Sequence, residues 1–285
     1  MLHCITSMGR DGSGMSDFSL RYCQPSAMLR EWVYAYYILE SDLPAWADNL
    51  RAELPQMRFM WRGDVQVSFA GLPELAMPRA SLSGPSSAAI HFRARGPIRM
   101  CGAGLLPAGW AALIGSGASD LADLPLDLEQ LAGLAARRTL HQVAEAKSDQ
   151  ECAAALDAFF LSLAMKARQP PLWFTRATDS WLSGSRNPDV NQLVQTLGMS
   201  SRQIERMALR VYGASPKLLA RKYRAVHAAI RLGRNPEAGW EHAAAGVYYD
   251  QPHFIRDFRR FIGMTPGDYA RREAGSLIRL TVTER

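Results

Sequence analysis

Two clusters of side chains carry most of the chemistry that residue type and spacing suggest. Ser201, Arg202, Glu205, Arg206 and Arg210 fall on the outward side of one helical stretch, and Gln251, Pro252, His253, Arg256, Arg259 and Arg260 on that of another. Arginine binds guanine O6 and N7 in a two-pronged fashion, glutamine prefers adenine and glutamate accepts from cytosine N4. Each face thus combines base-reading groups with phosphate-binding charge. Lys217, Arg221, Lys222 and Arg224, between the clusters, extend the charge and predict a salt-sensitive affinity for nucleic acid.

Catalytic patterns are missing by comparison. Cys4, Cys23, Cys101 and Cys152 are far apart and form no C-x-x-C or C-x-x-H pair, which argues against zinc and for reduced thiols. His91 has no nearby histidine partner, and neither a G-x-S-x-G nor a P-loop pattern occurs. No catalytic residue, metal or cofactor is expected. A DNA-repair alkyltransferase or glycosylase would need an activated cysteine or a pocket acid. It stands as an alternative, beside a co-regulator acting through protein contacts.

The elements around the two clusters read as helices. Asp189 caps a helix with Val190, Leu193, Val194 and Leu197 inward, and Gly198 ends it. Ser200 or Ser201 caps the next, with Ile204, Met207 and Val211 inward. A long helix opens at Ser215-Pro216, with Leu219, Tyr223, Val226 and Ile230 inward. A short helix at Trp240 to Ala244 follows, then a turn near Gly246. Asp250 then caps a helix with Phe254, Phe258 and Phe261 inward, and Thr265-Pro266 opens a last one. Short helix, turn and second helix thus occur twice, which is a pair of helix-turn-helix units. In such a unit the second helix enters the major groove.

The first half has another texture. Trp32 to Leu39, Arg58 to Trp61, Val65 to Phe69, Ala89 to Arg95 and Ile98 to Leu106 read as strands, with breaks at Gly63-Asp64 and Gly96-Pro97. Pro107 to Ile114 reads as a short helix. Leu124, Leu128, Leu131 and Leu134 recur at helical spacing, and a second helical stretch runs from Asp149 to Arg168. This pair packs on its own sheet or forms a dimer seam. Trp32, Tyr34, Tyr36, Tyr37, Phe59, Trp61 and Phe69 either line an apolar pocket or form plain core. Arg58, Arg62, Arg93, Arg95 and Arg99 either attract an acidic effector or face water.

The 285 residues carry a net charge of +6, unevenly distributed. From Pro170 onward there are 18 Lys+Arg against 10 Asp+Glu, a net of +8, which leaves −2 for residues 1–169. The basic share therefore falls on the helical half, as expected of a nucleic-acid footprint. No apolar run approaches the roughly 20 residues of a membrane span.

The stretch DQPHFIRDFRRFIGMTPGDYARR (Asp250 to Arg272) resembles the signature of the AraC/XylS family of bacterial transcription regulators. LGMSSRQIERMALRVYGASPKLL (Leu197 to Leu219) resembles that family's first unit. The resemblance implies an all-α domain of about seven helices that binds double-stranded promoter DNA. It places base-facing roles at Ser201, Arg202, Glu205 and Arg206, and at Gln251, Pro252, His253 and Arg256. His253 is open between a DNA contact and a helix-end polar residue. Where the family usually places Gly before the aromatic of the second turn, this chain has Val247, with Gly246 one residue earlier. Either the turn is rebuilt around Gly246 or the unit sits less deeply in its groove.

In the N-terminal half Ser83-Gly84-Pro85, FRARGP (Phe92 to Pro97) and GAGLLPAGW (Gly102 to Trp110) resemble sensing domains attached to such regulators. That implies a cupin-like β-barrel with trailing helices, and an α+β chain overall. The expected division is a flexible lead-in over 1–15, a regulatory domain over 16–168, the DNA-binding domain over 172–273 and a tail over 274–285. RNA polymerase is the expected protein partner. A small-molecule effector and a second copy of the chain bound through the N-terminal domain are further candidates. The expected location is cytoplasmic, with the nucleoid.

Overall fold

In the segment VYAYYILES, Tyr36 and Ile38 turn to one side and Tyr37 and Leu39 to the other, and both sides pack against apolar clusters. A strand buried on both faces must lie between two layers. The computed structural model describes residues 4–10, 16–69, 72–273 and 276–282 and shows those layers. Among the described residues nine strands form one antiparallel sheet: β1 (Cys4–Arg10), β2 (Ser16–Cys23), β3 (Val33–Ser41), β4 (Ala45–Leu50), β5 (Gln56–Phe69), β6 (Leu75–Ala76), β7 (Ala80–Ser83), β8 (Ile90–Leu105) and β9 (Pro125–Asp127). Their order is β1-β2-β3-β8-β5-β7-β9, with β4 also on β8 and β6 on β5.

The breaks expected at Gly63-Asp64 and Gly96-Pro97 are not breaks. β5 and β8 run through them as strands of 14 and 16 residues. Gly63 and Gly96 take positive φ values of 81° and 75°, and the pairing of β5 with β8 slips on either side of Arg62. A Cβ on Gly63 would stand 2.6 Å from the Pro97 carbonyl oxygen, so only glycine fits the bend. Each long strand therefore serves two halves of a curled sheet. Residues 90–95 of β8 pair with β4, and residues 98–105 pair with β3.

One face of the sheet is covered by helices. These are α1 (Pro107–Leu113), α2 (Glu129–Ala132), α3 (Leu134–Glu145) and α4 (Asp149–Ala164). Trp110, Phe159 and Phe160 from α1 and α4 join Tyr36, Met57 and Phe59 in the core. The leucine series does not make one helix: β9 takes residues 125–127 and Gly133 separates α2 from α3. Leu128 is buried, whereas Leu124, Leu131 and Leu134 are exposed. The other face of the sheet curls around Leu39, Val65, Val67, Phe69, Ile90 and Phe92.

The second half is helical: α5 (Leu172–Ser183), α6 (Val190–Leu197), α7 (Ser201–Tyr212), α8 (Pro216–Arg234), α9 (Gly239–Ala244), α10 (Gln251–Ile262) and α11 (Pro266–Arg271). The expected inward residues of α7 and α10 pack in two separate cores, apart from Phe261, which joins Ala52 and Ala225. Ile204 and Val211 join Phe174, Trp181 and Leu193, while Phe254 and Phe258 join Ile230 and Tyr269. Strong end signals explain the sharp boundaries. Asp189, Ser200, Ser215, Asp250 and Thr265 each accept a backbone N–H of the following turn, and Gly198, Gly213 and Gly263 close three helices in the left-handed region.

Three expectations change. Residues 4–10 of the supposed lead-in form β1, paired with β2, while residues 1–3 and 11–15 lie outside the described residues. The supposed tail contains α12 (Leu277–Thr281), which packs on β4. Of the cysteines, Cys101 and Cys152 are free and buried, but Cys23 is disulfide-bonded, against the expectation of reduced thiols throughout.

Candidate functional site

α7 begins with a reciprocal cap. The Ser200 hydroxyl accepts the Gln203 N–H, and the Gln203 side chain accepts the Ser200 N–H at 3.0 Å. With Ile204, Ala208 and Val211 buried, the opposite face is presented outward, and Ser201, Arg202, Glu205, Arg206 and Arg210 are all exposed on it. α10 repeats the arrangement. Asp250 caps through the His253 N–H at 2.7 Å, three phenylalanines point in, and Gln251, Pro252 and Arg256 are exposed. The structure thus brings the expected base-reading residues onto two helix faces as the spacing suggested.

The turn before α10 settles the question raised by Val247. Gly246 takes the left-handed conformation, with φ 72°, and the Val247 and Tyr248 N–H groups both donate to the Ala244 carbonyl. The turn is rebuilt one residue earlier, and Val247 keeps a negative φ. Tyr248 then packs against Phe254, while Tyr249 is left completely open, at 103% relative exposure.

A buried ion pair fixes α10 on α8. The Asp257 side chain is fully buried and accepts from Arg221 Nη2 at 2.6 Å and from Nε at 3.4 Å. The Asp257 hydrogen bond raises the Arg221 pKa further. His253 Nε2 stands 3.5 Å from the same carboxylate, and its ring meets Tyr248 edge-on. His253 is half-buried and held by protein groups at the foot of α10. Spacing gave no role to Asp257. Its signal was an acid at an inward position among phenylalanines.

The linker charge is largely used within the protein. Arg221 binds Asp257, Lys222 Nζ donates to the Glu53 and Ser86 carbonyls at 2.8 and 3.3 Å, and Arg224 donates to Asn187 and lies over the Tyr248 ring. These are corrections to the expected phosphate contacts. Lys217 is exposed at the start of α8. Arg260 is exposed, and its Nε donates to the Ser87 carbonyl, in the loop before β8, at 3.3 Å. The same seam carries backbone bonds from Ala52 to Phe261 and from Ala89 to Arg260, each 2.7 Å.

The N-terminal half also reaches the first unit. Gly117, Ser119 and Asp120 share a cleft of about 740 Å³ with Arg202, Arg206 and Arg210 on α7. The outward face of α7 is thus one wall of a cleft whose other wall is a loop of the first half.

A second cavity, about 440 Å³, lies inside the curled sheet. Leu20, Leu39, Val67, Phe69 and Met100 give it apolar walls, and Tyr37, Gln56 and Arg58 stand at a polar end. Of the aromatics singled out, Tyr34, Tyr37 and Phe69 line it, whereas Tyr36 and Phe59 belong to the core on the other face. Arg58 is buried and donates to Glu53 at 2.6 Å, so its charge is answered internally. Burial opposes its charge, but Tyr37 and Glu53 hold its pKa above the usual range. Burial also pushes the Tyr37 hydroxyl up. Trp46 Nε1 and Gln56 Oε1 are buried and lack a hydrogen-bond partner among the described residues, while the Tyr37 hydroxyl stands beside the Arg58 guanidinium. Arg99 pairs with Asp42 and Arg93 with Glu74, both outside this cavity. Among the described residues no cluster of His, Cys, Asp or Glu could hold a metal, and no helix is long and apolar enough to cross a membrane.

Residues 193–272, which include both outward faces, match a family model described as a helix-turn-helix domain. This segment is an AraC-type helix-turn-helix domain. Comparison with curated proteins finds no match for the chain. Among solved structures the chain is similar to ToxT from Vibrio cholerae O395, with 12% identity, 94% of this chain and 96% of that chain covered, and a TM-score of 0.45. It is also similar to unsaturated fatty acid bound wild-type ToxT from Vibrio cholerae strain SCE256 (10% identity, 85% and 96% covered, TM-score 0.46). The AraC-like transcriptional activator CuxR is a looser likeness, at 11% identity, 72% and 79% covered, and a TM-score of 0.33. The AraC-type domain is accordingly defined by its own segment, its doubled unit and its caps.

Proposed function

We propose that the chain is a sequence-specific DNA-binding regulator of transcription, reading duplex DNA with α7 and α10 and controlled through its N-terminal half. The observation that carries this reading is the pair of outward faces in an AraC-type domain. Ser201, Arg202, Glu205 and Arg206 on one, and Gln251, Pro252 and Arg256 on the other, are exposed at the N-terminal ends of second helices, where base edges are read. Arg210 and Lys217 supply phosphate contacts, and His253 acts by holding the foot of α10.

Control has two physical routes. The loop with Ser119 and Asp120 faces Arg202, Arg206 and Arg210 across a cleft, so its movement changes the surroundings of the first reading face. The cavity suits an effector with an apolar body and one hydrogen-bonding group, for which Trp46 and Gln56 hold unanswered polar atoms. Because Glu53 already answers Arg58, the cavity does not demand an acid.

The test is selection of duplexes from a random library by the purified full chain, followed by anisotropy titration of the selected duplex and a scrambled one. A selected duplex bound about a thousandfold tighter supports specific reading. Equal affinity for both would sink it.

A further inference from the structure

Helix α12 is five residues long and faces two ways. Leu277 is buried among the side chains inside the curled sheet, Leu280 packs against the same cluster, and both line the cavity together with Thr281. Ile278 and Val282, on the opposite side, belong to the core that holds Phe254, Phe258 and Tyr269 of the second helix-turn-helix unit. Both ends of this arrangement are tied down. Arg51 Nε, at the cavity, donates to the Thr281 carbonyl at 2.9 Å. Arg279 donates to the Gly233 carbonyl at 2.6 Å and to that of Tyr269 at 3.4 Å, with its guanidinium 5.1 Å from the Tyr269 ring centre.

We propose that α12 is the lid of the cavity and carries its occupancy to the second helix-turn-helix unit. The inference rests on the reading of the cavity as an effector site and adds how that site acts on DNA binding. An occupant large enough to fill the cavity presses on Leu277 and Leu280. These side chains cannot move freely of Ile278 and Val282, because one five-residue helix and its C-terminal cap carry all four. Close-packed cores transmit such a shift rather than absorb it. The second unit, not the first, receives it, since the buried residues of α6 and α7 belong to a separate core.

The experiment separates the lid from the effector. Val67→Trp places an indole in the cavity from the sheet wall, with no ligand needed; Met77→Trp does the same from a half-buried position and serves if Val67→Trp does not fold. In the full chain, amide hydrogen exchange is measured across the second unit (residues 251–271) and the first (190–212). The expected result is exchange about tenfold faster in the second unit, with the first unchanged, as for a local opening. An indole shown by fluorescence to be buried, with exchange in residues 251–271 unaltered, would overturn the proposal. So would equal acceleration in both units, which marks general destabilisation.

A parallel arm adds N-phenyl-1-naphthylamine, an apolar fluorescent amine, to the unaltered full chain. Binding with the same selective change in residues 251–271 supports both readings. Binding without that change overturns the lid. If the amine does not bind while the tryptophan variants show the selective change, the lid stands and the effector reading is what fails.

Discussion

Arg221→Met leaves the Asp257 carboxylate buried without its guanidinium while keeping most of the apolar stem. In the native chain this carboxylate has no solvent exposure and accepts two hydrogen bonds from Arg221, at 2.6 and 3.4 Å. Removing one partner of a fully buried pair costs about 3–5 kcal/mol, because the other charge is left unanswered. Arg221 is itself one-third exposed, and His253 Nε2 lies 3.5 Å from the acid, so the loss is reduced. The expected destabilisation is about 2–3 kcal/mol. Asp257→Asn removes the charge but keeps the shape, and the double variant closes a cycle whose coupling should be about 1–2 kcal/mol. Urea unfolding followed by circular dichroism measures it, with exchange at residues 251–262 showing whether α10 loosens first. A coupling below about 0.5 kcal/mol would mean that the pair does not fix α10 and that the phenylalanine core suffices.

Three further outcomes follow from single positions. Gly246→Ala, at φ 72° and with open space around a Cβ, should cost about 1–2 kcal/mol of stability from backbone strain alone, read by thermal unfolding. Lys217→Ala should weaken binding about equally on selected and scrambled duplexes and lower the salt slope by about 1, read by titration across salt concentrations. Burial raises the Asp48 pKa against the opposing pull of Asn49 and Arg272, so the fold favours the protonated acid. The associated stability is present below the ordinary aspartate range and is lost as pH rises through the raised value. Asp48→Asn should therefore unfold at a higher temperature than the parent near neutral pH, with the difference vanishing in acid.

The helical half was legible because local signals agree there. Asp189, Ser200, Ser215, Asp250 and Thr265 each cap the helix that their position announces, and Gly198, Gly213 and Gly263 stop three of them. The sheet was less legible for a physical reason. A Gly at positive φ followed by Asp or Pro serves a turn and a bend within a strand equally well, so Gly63 and Gly96 concealed two long strands. Leucine spacing misled across residues 124–134, where Gly133 interrupts the helix and the exposed leucines do not share a buried face.

The outward faces of α7 and α10 were readable from period alone, but what covers a charge was not. Period assigns Lys222 and Arg260 to helix surfaces, whereas contacts about 140 to 170 positions away in sequence set their partners. Asp257 and α12 escaped notice for the same reason. One is an acid among phenylalanines, the other a short apolar run near the chain's end, and each gains its meaning only from a distant element.

The most direct test of the central claim uses Arg206→Ala and Arg256→Ala on the duplex selected by the parent chain, with every base pair varied in turn. The account predicts that each variant loses about 1–3 kcal/mol of binding and relaxes preference at its own base positions, in two separate groups about one helical turn apart. Loss spread evenly over all positions, or no loss from either variant, would contradict reading of DNA by α7 and α10.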